Sequence, residues 1–330
     1  MTTVLVVGGA GYIGSHAARL LRKEGFDVVI YDNLSTGYAS LVHGFELVQG
    51  DIADSERLSG VMRRVTAVMH FAAHAYVGES VENPRKYFRN NVECGLLLLN
   101  AAIDAGVGHF ISSSTCAVYG LPNTVPIPEN TTRQPVNPYG VSKLFFEQAL
   151  ESYGRAYGLR FASLRYFNAA GADEGGETGE CHIPETHLIP LALQAAAGTG
   201  DKLQIFGGDY ATPDGTCIRD YIHVNDLAAA HVKALHYLIA GGSSVALNLG
   251  TGRGYSVLEV VRTVEEVVGK VVPKHVGPRR PGDPPALVAD PSYAQKLFQW
   301  RATRSLHEIV STAWNWMRHR ETQVGLGSAS

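Results

Sequence analysis

Residues 1–14 read MTTVLVVGGAGYIG, in which an aliphatic run, Val4 to Val7, meets the glycines Gly8, Gly11 and Gly14. A short apolar run bounded by glycine predicts a strand buried on both faces, as in parallel sheets. The following residues, Tyr12 to Glu24, place their aliphatic side chains on one face of a helix. The stretch therefore predicts a strand, a glycine turn and a helix.

The three glycines of this turn have separate mechanical roles in a dinucleotide-binding unit. Gly8 permits the tight turn, Gly11 lets the backbone approach a pyrophosphate, and Gly14 lets the helix pack closely on the strand. The helix N-terminus attracts the anion through its free N–H groups and its dipole. The predicted strand, turn and helix together therefore indicate a bound dinucleotide.

A second predicted strand, Val28 to Tyr31, is followed by Asp32, eighteen residues after Gly14. A carboxylate at this distance accepts hydrogen bonds from the hydroxyls of an adenosine ribose. Residues 33–40 contain no Arg or Lys that could bind a 2′-phosphate. The sequence therefore predicts NAD, rather than NADP, as the cofactor.

The composition predicts a globular protein without a nucleic-acid or membrane partner. Of the 330 residues, 45% are hydrophobic and 18% charged, and the net charge of -3 comes with no basic stripe. No apolar run reaches the roughly 20 residues of a membrane helix, and no signal peptide precedes the first strand, so we expect a cytoplasmic protein. The four cysteines are scattered, and we expect neither disulfides nor a metal site.

Strands and helices alternate through the first half of the chain, which predicts an α/β fold with a doubly wound parallel sheet of the Rossmann type. We expect an NAD-binding domain over residues 1–168, joined by a returning segment at about 217–251 that adds a strand. Residues 169–330 form a mainly substrate-binding, smaller C-terminal domain in this interpretation. The further strand predictions are Leu47–Val48, Ala67–His70, His109–Ser113 and Ala246–Leu249, and the longer helix predictions are Pro84–Ala105 and Tyr139–Tyr157.

Ligands of doubly wound sheets bind beyond the carboxyl ends of the strands. The residues that follow predicted strands are therefore candidate ligand contacts. They are Asp51 and Ile52 after one strand, Phe71, Ala72 and Ala73 after another, and Ser113 to Thr115 after a third.

The stretch NPYGVSK, residues 137–143, places Tyr139 and Lys143 on the same face of a helix that begins at Pro138. A phenol has an ordinary pKa near 10 and is a poor base at neutral pH. We expect the ammonium of Lys143 and a cationic nicotinamide to lower the pKa of Tyr139. The hydroxyl of Thr115 is placed to hydrogen-bond the sugar hydroxyl that loses its proton.

Seven runs spread along the chain carry a family resemblance: GGAGYIGSH, YDNLSTG, HFAAHAYVGES, YFNAAGAD, GTCIRDYIHVNDLA, NLGTGRGYSV and PRRPGDPPALVADPSYA. Together they resemble, nearly from end to end, the UDP-glucose 4-epimerases of the extended short-chain dehydrogenase/reductase family. This resemblance implies reversible C4 epimerisation of UDP-glucose and UDP-galactose through a transient 4-keto sugar, with enzyme-bound NAD. It also implies a homodimer, formed through the predicted helices 84–105 and 139–157.

The resemblance also implies the roles of individual residues. Tyr139 is the base, Lys143 binds the nicotinamide ribose, and Thr115 replaces a hydroxyl that is more often serine. The residues that line the cofactor are Gly8, Gly11, Tyr12, Ile13, Gly14, Asp32, Asn33, Asp51, Ile52, Phe71, Ala72, Ala73, Asn90, Ser113, Tyr139, Lys143 and Phe167. The residues that line the UDP-sugar are Thr115, Tyr139, Asn168, His187, Leu188, Phe206, Arg219, Arg280, Asp283 and Leu287.

Three positions depart from the pattern of some relatives. His187 stands in place of an asparagine, and Ala75 stands in place of a lysine near the cofactor. Leu287 lies where a tyrosine accompanies restriction to glucose and galactose and small residues accompany acceptance of N-acetyl sugars. Because leucine lacks the ring, we expect UDP-N-acetylglucosamine and UDP-N-acetylgalactosamine to be interconverted as well.

The sequence fits three other functions less well or no better. A nucleotide-sugar 4,6-dehydratase needs an Asp-Glu pair after the hydroxyl residue, where this chain has Cys116 and Ala117. An epimerase of UDP-glucuronate or of a UDP-pentose stays open. A catalytically inactive NAD-sensing protein is disfavoured because Tyr139, Lys143 and Thr115 are all present.

Overall fold

The computed structural model describes residues 2–280 and 282–324, except for the side chains of residues 321–324. The strands, in chain order, are β1 (Thr3–Val7), β2 (Asp27–Asp32), β3 (Glu46–Gln49), β4 (Ala67–His70), β5 (His109–Thr115), β6 (Arg160–Tyr166), β7 (Asn168–Ala170), β8 (Leu203–Phe206), β9 (Ile218–Arg219), β10 (Tyr221–His223), β11 (Val245–Leu249), β12 (Tyr255–Ser256), β13 (Lys274–Gly277) and β14 (Ala286–Leu287). The helices are α1 (Tyr12–Lys23), α2 (Ser55–Met62), α3 (Val77–Glu82), α4 (Pro84–Tyr87), α5 (Gly95–Asp104), α6 (Pro138–Tyr157), α7 (Leu188–Ala197), α8 (Val224–Ile239), α9 (Val257–Val268), α10 (Ser292–Phe298) and α11 (Leu306–Val324).

Seven parallel strands form the main sheet, in the order β11-β6-β5-β4-β1-β2-β3. The direction of winding reverses between β1 and β4, which is the arrangement of a doubly wound sheet. All the strands predicted from short apolar runs are present, and β11 returns late in the chain to pair with β6. The predicted fold class is therefore confirmed.

The central strand β1 is buried on both faces, as its continuous apolar run predicts. Val4 and Val6 pack with α1 and α8 on one face of the sheet, and Leu5 and Val7 pack with α2, α5 and α6 on the other. Burying each such side chain contributes about 1.5–3 kcal/mol. Helices therefore cover both faces, and the strand ends remain as the place for a ligand.

The turn after β1 requires glycine at two positions for different reasons. Gly8 has a φ of 76°, and a Cβ added there would lie 2.5 Å from the backbone nitrogen of Ala72. A Cβ added to Gly14 would overlap the carbonyl oxygen of Gly8 and lie 2.8 Å from Cα of Gly9. The first glycine thus allows the turn and a close neighbour, and the last allows α1 to pack against the turn.

The helix predicted over residues 84–105 is present, but it is not α-helical throughout. A π-helical segment, Phe88–Cys94, lies between α4 and α5. Asn91 is buried in this segment, and its side-chain amide bonds the backbone of His74 on the neighbouring loop. Widened helical turns of this kind occur frequently at functional sites.

The chain outside the main sheet forms three small sheets, with the orders β12-β9-β14, β10-β7 and β13-β8. A separate hydrophobic core joins α7, α9, α11 and β8, and it includes Ile189, Val260 and Ile309. In the described part of the chain, none of the helices combines the length and apolar character that crossing a membrane requires.

We predict that Gly14→Ala lowers the free energy of unfolding by about 1–3 kcal/mol, because the new methyl group overlaps the backbone of the glycine turn. Gly60→Ala is the matched control, since an added Cβ at this α2 position has no neighbour within 4 Å. This control gains helix propensity and is expected to be neutral or stabilising by up to about 1 kcal/mol. Urea unfolding of both variants tests the prediction, and equal stabilities for the two would contradict it.

Candidate active site

The amino end of α1 has the features of an anion site. Gly11 is the N-cap residue, and no side chain caps the first turn. The backbone N–H groups of Tyr12 and Ile13 belong to this turn, where a helix offers no carbonyl partner for them. A Cβ added to Gly11 would meet only the carbonyl oxygen of Gly8, at 3.3 Å. The free N–H groups and the helix dipole together favour a phosphate at this position.

Asp32 ends β2, and its carboxylate connects two loops. Its oxygens accept hydrogen bonds from the backbone N–H of Ala10 at 2.9 Å and of Leu34 at 2.8 Å. Burial raises the pKa of Asp32, and the two N–H groups lower it in part. Each carboxylate oxygen retains a lone pair that can accept a ribose hydroxyl, so the position fits the predicted ribose contact.

The loops after β2 and β3 are joined by a second carboxylate. Asn33 donates through Nδ2 to Asp51 at 2.8 Å, and the hydroxyl of Tyr31 donates to the carbonyl oxygen of Asp51 at 2.7 Å. The backbone N–H of Ala53 and the amide of Asn33 hold the pKa of Asp51 below its ordinary value. Ile52 is buried beside them. These predicted cofactor residues therefore form one rigid rim at the sheet edge.

The loop after β4 returns to the glycine turn. The backbone N–H groups of Phe71 and Ala72 donate to the carbonyl oxygen of Val7 at 2.8 and 3.2 Å, and Ala73 follows. Because Ala72 lies against Gly8, the loop closes one side of the turn.

Asn91 connects this loop to α6, and sequence reasoning missed it. Its Nδ2 donates to the carbonyl oxygen of His74 and to Oγ of Ser142, both at 3.0 Å. The neighbouring Asn90, a predicted cofactor residue, donates to Oδ1 of Asn91 at 2.9 Å. The sequence contains one sign that Asn91 is buried. It lies seven residues before Leu98, a spacing that places both on the same buried face of a helix.

The predicted catalytic residues meet at the carboxyl end of β5. Asn137 caps α6 by accepting a hydrogen bond from Gly140, which fixes the start of the helix that carries Tyr139. Thr115, the last residue of β5, has its hydroxyl close enough to the phenol of Tyr139 to influence its pKa. Lys143 lies one turn further along α6 and donates through Nζ to the carbonyl oxygen of Ser113 at 2.8 Å. The strand end and the helix thus hold all three polar groups together.

Burial dominates the electrostatics of these groups. It raises the pKa of Tyr139 well above its ordinary value, with a further increase from Tyr166, and the Thr115 hydroxyl lowers it in part. Burial also lowers the pKa of Lys143 to about 8, although Glu147 opposes this change. The sequence predicts that Lys143 lowers the pKa of Tyr139. In the chain without a cofactor, the effect of burial is larger and the pKa is raised. A phenolate at this position requires an additional positive charge beside it.

Glu147 follows Lys143 by one turn of α6, and its carboxylate is almost completely buried. Oε1 accepts hydrogen bonds from Oγ of Ser114 at 2.5 Å and from Nε of Arg165 at 2.8 Å. Oε2 accepts from Nη2 of Arg165 at 2.7 Å. The guanidinium also donates to the hydroxyl of Tyr119 at 2.9 Å. This bidentate ion pair joins α6 to β5 and β6 directly behind the catalytic residues.

A second group of predicted residues meets where β9 pairs with β14. Arg219 donates through Nη2 to Oδ1 of Asp283 at 2.5 Å, and it is in register with Leu287 on the adjacent strand. Leu287 packs against the cluster that contains Cys116 and Phe167, so it lies near the end of β5. Leu287, the position predicted to control substrate choice, therefore lies on the same side of the molecule as the catalytic residues.

Asp220 holds this second group together and was not singled out from the sequence. Its buried carboxylate accepts hydrogen bonds from the backbone N–H and hydroxyl of Thr251, at 2.9 and 2.7 Å. It also accepts from the backbone N–H of Gly252 at 3.1 Å and of Ala289 at 3.2 Å. The carbonyl oxygen of Asp220 accepts from the backbone N–H of Asn168 at 3.0 Å.

Two further sets of residues predicted to contact the UDP-sugar make contacts of their own. The guanidinium of Arg280 stacks 3.8 Å from the ring centroid of Phe206. His187 is the N-cap residue of α7, next to Leu188, and its Nδ1 lies 2.6 Å from Oε1 of Glu180. Burial alone would lower the pKa of His187, but Glu180 and the nearby Glu185 raise it to about 10. The two carboxylates therefore favour the protonated form of His187 when no cation is bound.

Comparison with known proteins identifies the family. The model of the NAD dependent epimerase/dehydratase family matches residues 4–250. The chain belongs to this family. It is 50% identical over 319 residues to a UDP-glucose 4-epimerase of Rhizobium meliloti (strain 1021), a match that covers 96% of this chain and 97% of that protein.

Solved structures of other epimerases are similar over nearly the whole chain. The UDP-glucose 4-epimerase of Brucella ovis in complex with NAD has a TM-score of 0.93 and 52% identity, covering 96% of this chain and 98% of that one. The UDP-glucose 4-epimerase of Bifidobacterium longum in complex with NAD⁺ and UDP has a TM-score of 0.93 and 38% identity, covering 98% and 100%.

Most of the predicted site residues of this family member fall into three groups. The first surrounds the glycine turn and Asp32, the second is the cluster of Thr115, Tyr139 and Lys143, and the third is the group around Arg219. Arg280, which stacks on Phe206, adjoins the third group because its carbonyl oxygen accepts a hydrogen bond from the backbone N–H of Asp283 at 3.2 Å. Ala75 is exposed on the loop after β4.

Proposed function

We propose that this chain is an NAD-dependent UDP-glucose 4-epimerase that interconverts UDP-glucose and UDP-galactose. The observation that carries the proposal is the cluster of Thr115, Tyr139 and Lys143 at the carboxyl end of β5. The names of the relatives in Rhizobium meliloti and Brucella ovis support the same activity.

The residues at the edge of the sheet fit NAD. The uncapped start of α1 would hold the pyrophosphate, Asp32 would accept the adenosine ribose hydroxyls, and Lys143 would bind the nicotinamide ribose. When bound, NAD supplies a reversible two-electron acceptor and the positive charge that favours phenolate at Tyr139. Because the complete reaction involves no net redox change, we expect the protein to retain NAD through turnover.

The chain's own residues move one proton and orient the sugar. Thr115 hydrogen-bonds the 4-hydroxyl of the hexose, and phenolate Tyr139 takes its proton as C4 becomes a ketone. The sugar then turns about its link to the diphosphate, and Tyr139 returns the proton as the alcohol forms again with the opposite configuration. The hexose must therefore be bound loosely, while the nucleotide contributes most of the binding.

The second group of residues is suited to a nucleoside diphosphate. Guanidinium groups bind phosphate oxygens well, and we assign this role to Arg219 and Arg280. The remaining proposed contacts with the UDP-sugar are Asn168, His187, Leu188, Phe206, Asp283 and Leu287. In the same proposal, residues 1–168 with about 217–251 bind NAD, residues 169–330 mainly bind the UDP-sugar, and the protein is cytoplasmic.

A 4,6-dehydratase activity lacks the necessary acid and base. Burial raises the pKa of the Cys116 thiol to about 12. Ala117 has no ionisable group. Neither residue can assist loss of the C6 hydroxyl, so the site favours epimerisation.

We predict that the purified protein converts UDP-galactose to UDP-glucose without added NAD, and that Tyr139→Phe lowers kcat by about 10²–10⁴ because the base is lost. Tyr157→Phe, at an exposed position on the same helix, is the control and is expected to retain native turnover. Product analysis by anion-exchange chromatography measures both rates. Native turnover in Tyr139→Phe would disprove the assigned base, and an inactive native protein containing NAD would disprove the proposed reaction.

The position of Leu287 beside Cys116 and Phe167 generates a prediction on substrate choice. We predict that the native protein also interconverts UDP-N-acetylglucosamine and UDP-N-acetylgalactosamine, because a leucine leaves more room than a ring for the 2-acetamido group. Leu287→Tyr is expected to lower kcat/KM for this pair at least about 10-fold relative to UDP-glucose and UDP-galactose. Leu287→Met, of similar volume, is the control. Unchanged selectivity in Leu287→Tyr would rule out this control of substrate choice.

We also propose that two copies of the chain associate through the helical segments at 88–104 and 138–157. The first segment exposes Phe88 and Leu97, and α6 exposes Val141 and Phe145, which are large apolar side chains. The two segments pack against each other, so their exposed apolar side chains belong to one helical layer. A second copy placed by two-fold symmetry would cover this face with the same residues.

We predict that Phe145→Glu converts a native dimer into a monomer, because the new carboxylate would be buried without a partner. Val271→Glu is the matched control, since Val271 is 75% exposed and lies between α9 and β13, far along the chain from this face. Light scattering after size-exclusion chromatography gives the mass of each. A native monomer, or a dimeric Phe145→Glu variant, would contradict the proposed interface.

A further inference from the structure

Four metal-ligating side chains cluster on the segment between β7 and α7. One ligand atom from each of Glu180, His182, Glu185 and His187 lies within 4.8 Å of all the others. Nδ1 of His182 is 3.0 Å from Oε1 of Glu180, and Nδ1 of His187 is 2.6 Å from the same oxygen. We propose that this cluster binds one divalent transition-metal ion, Zn²⁺ above all, as a structural site.

The chemistry of the four donors favours zinc over the common alkaline-earth ions. Zn²⁺ takes four nitrogen and oxygen ligands at about 2.0–2.2 Å in a tetrahedron, which places neighbouring donors roughly 3.3 Å apart. Calcium and magnesium take oxygen ligands, and two imidazoles do not suit them. The two carboxylates also neutralise the charge of a divalent ion. Nδ1 of His187 and Oε1 of Glu180 are 2.6 Å apart, so ion binding requires these two atoms to separate and the proton that they share to leave.

The side chains are already oriented by their surroundings. Oε1 of Glu185 accepts hydrogen bonds from the backbone N–H groups of Thr186 and His187, at 2.7 and 2.9 Å. The carbonyl oxygen of Glu180 accepts from Nε1 of Trp316 at 2.8 Å. Supporting contacts of this kind hold ligands in place and raise metal affinity.

An ion can reach the cluster from solvent. A cavity of about 250 Å³ is lined in part by His182 and Glu185. The side chains of His182 and His187 are 23% and 41% exposed, while that of Glu180 is 7% exposed. The site is thus open on its imidazole side and anchored on its carboxylate side.

The expectation that no metal site is present followed from the spacing of the cysteines. Cys181 lies between two of the proposed ligands, but its buried thiol is not one of the four donors. The proposed ligands are two glutamates and two histidines within eight residues, a pattern that cysteine spacing does not reveal.

A metal ion here would fix the conformation of residues 180–187, which belong to a segment that hydrogen-bonds α1. The same segment already contacts this helix through Oγ1 of Thr178, 2.6 Å from Oγ of Ser15. The hydroxyl of Tyr12 donates to the carbonyl oxygen of Gly171 at 2.6 Å. The ion would add a local cross-link within this segment, and because His187 is also a proposed UDP-sugar contact, metal binding is measured in the absence of substrate.

The test uses the full chain, stripped of metal by a chelator and titrated with Zn²⁺ and then, in a second sample, with Co²⁺. We expect one Zn²⁺ per chain by calorimetry, a rise of a few °C in Tm, and the intense visible bands of four-coordinate Co²⁺. His182→Asn and Glu180→Gln are each expected to weaken binding more than about 10-fold. His236→Asn is the control, because His236 is exposed and has a single carboxylate nearby, on Glu24 at 3.9 Å.

Circular dichroism and Tm without metal establish that each variant is folded, and having two variants keeps the test valid if one is not. The absence of Zn²⁺ binding in the native chain would overturn the proposal. The cluster would then be a set of ion pairs between glutamates and histidines. Native affinity in both ligand variants, or six-coordinate Co²⁺ in the native chain, would overturn it equally.

Discussion

The buried ion pair between Glu147 and Arg165 determines how α6 meets the sheet. Both side chains are almost inaccessible to water, and an unpaired charge at this depth would cost several kcal/mol. The bidentate contact therefore fixes the rotation of α6. Tyr139, Lys143 and Glu147 are spaced by four residues and share one helical face. The ion pair consequently also directs the phenol and the ammonium toward the end of β5.

The substrate side is organised by the same principle. Asp220 is a buried carboxylate that is satisfied by four donors from two segments of the chain. Its neighbour Arg219 reaches Asp283 and lies in register with Leu287. In both places a carboxylate that makes no proposed contact with substrate holds the residues that do. Removing such a group would displace a set of contacts rather than a single one.

Local patterns predicted much of the fold but little of its polar interior. The apolar run before Gly8 and the residue types after each strand were sufficient for the sheet and for the rim around Asp32. The roles of Glu147, Asp220 and Asn91 depend on partners distant in the sequence, and no spacing rule reveals them. The π segment and the raised pKa of Tyr139 have the same origin, because both follow from tertiary packing. The individual contacts with NAD and UDP-sugar stay predictions.

The late return of β11 has a consequence for synthesis of the chain. This strand covers the outer side of β6, and Asn248 within it accepts a hydrogen bond from the hydroxyl of Tyr119 at 2.7 Å. Until residues 245–249 leave the ribosome, β6 is an open edge with unpaired N–H and C=O groups, the kind that recruits strands from other chains. The nascent protein therefore passes through an aggregation-prone stage during which chaperone protection is most valuable.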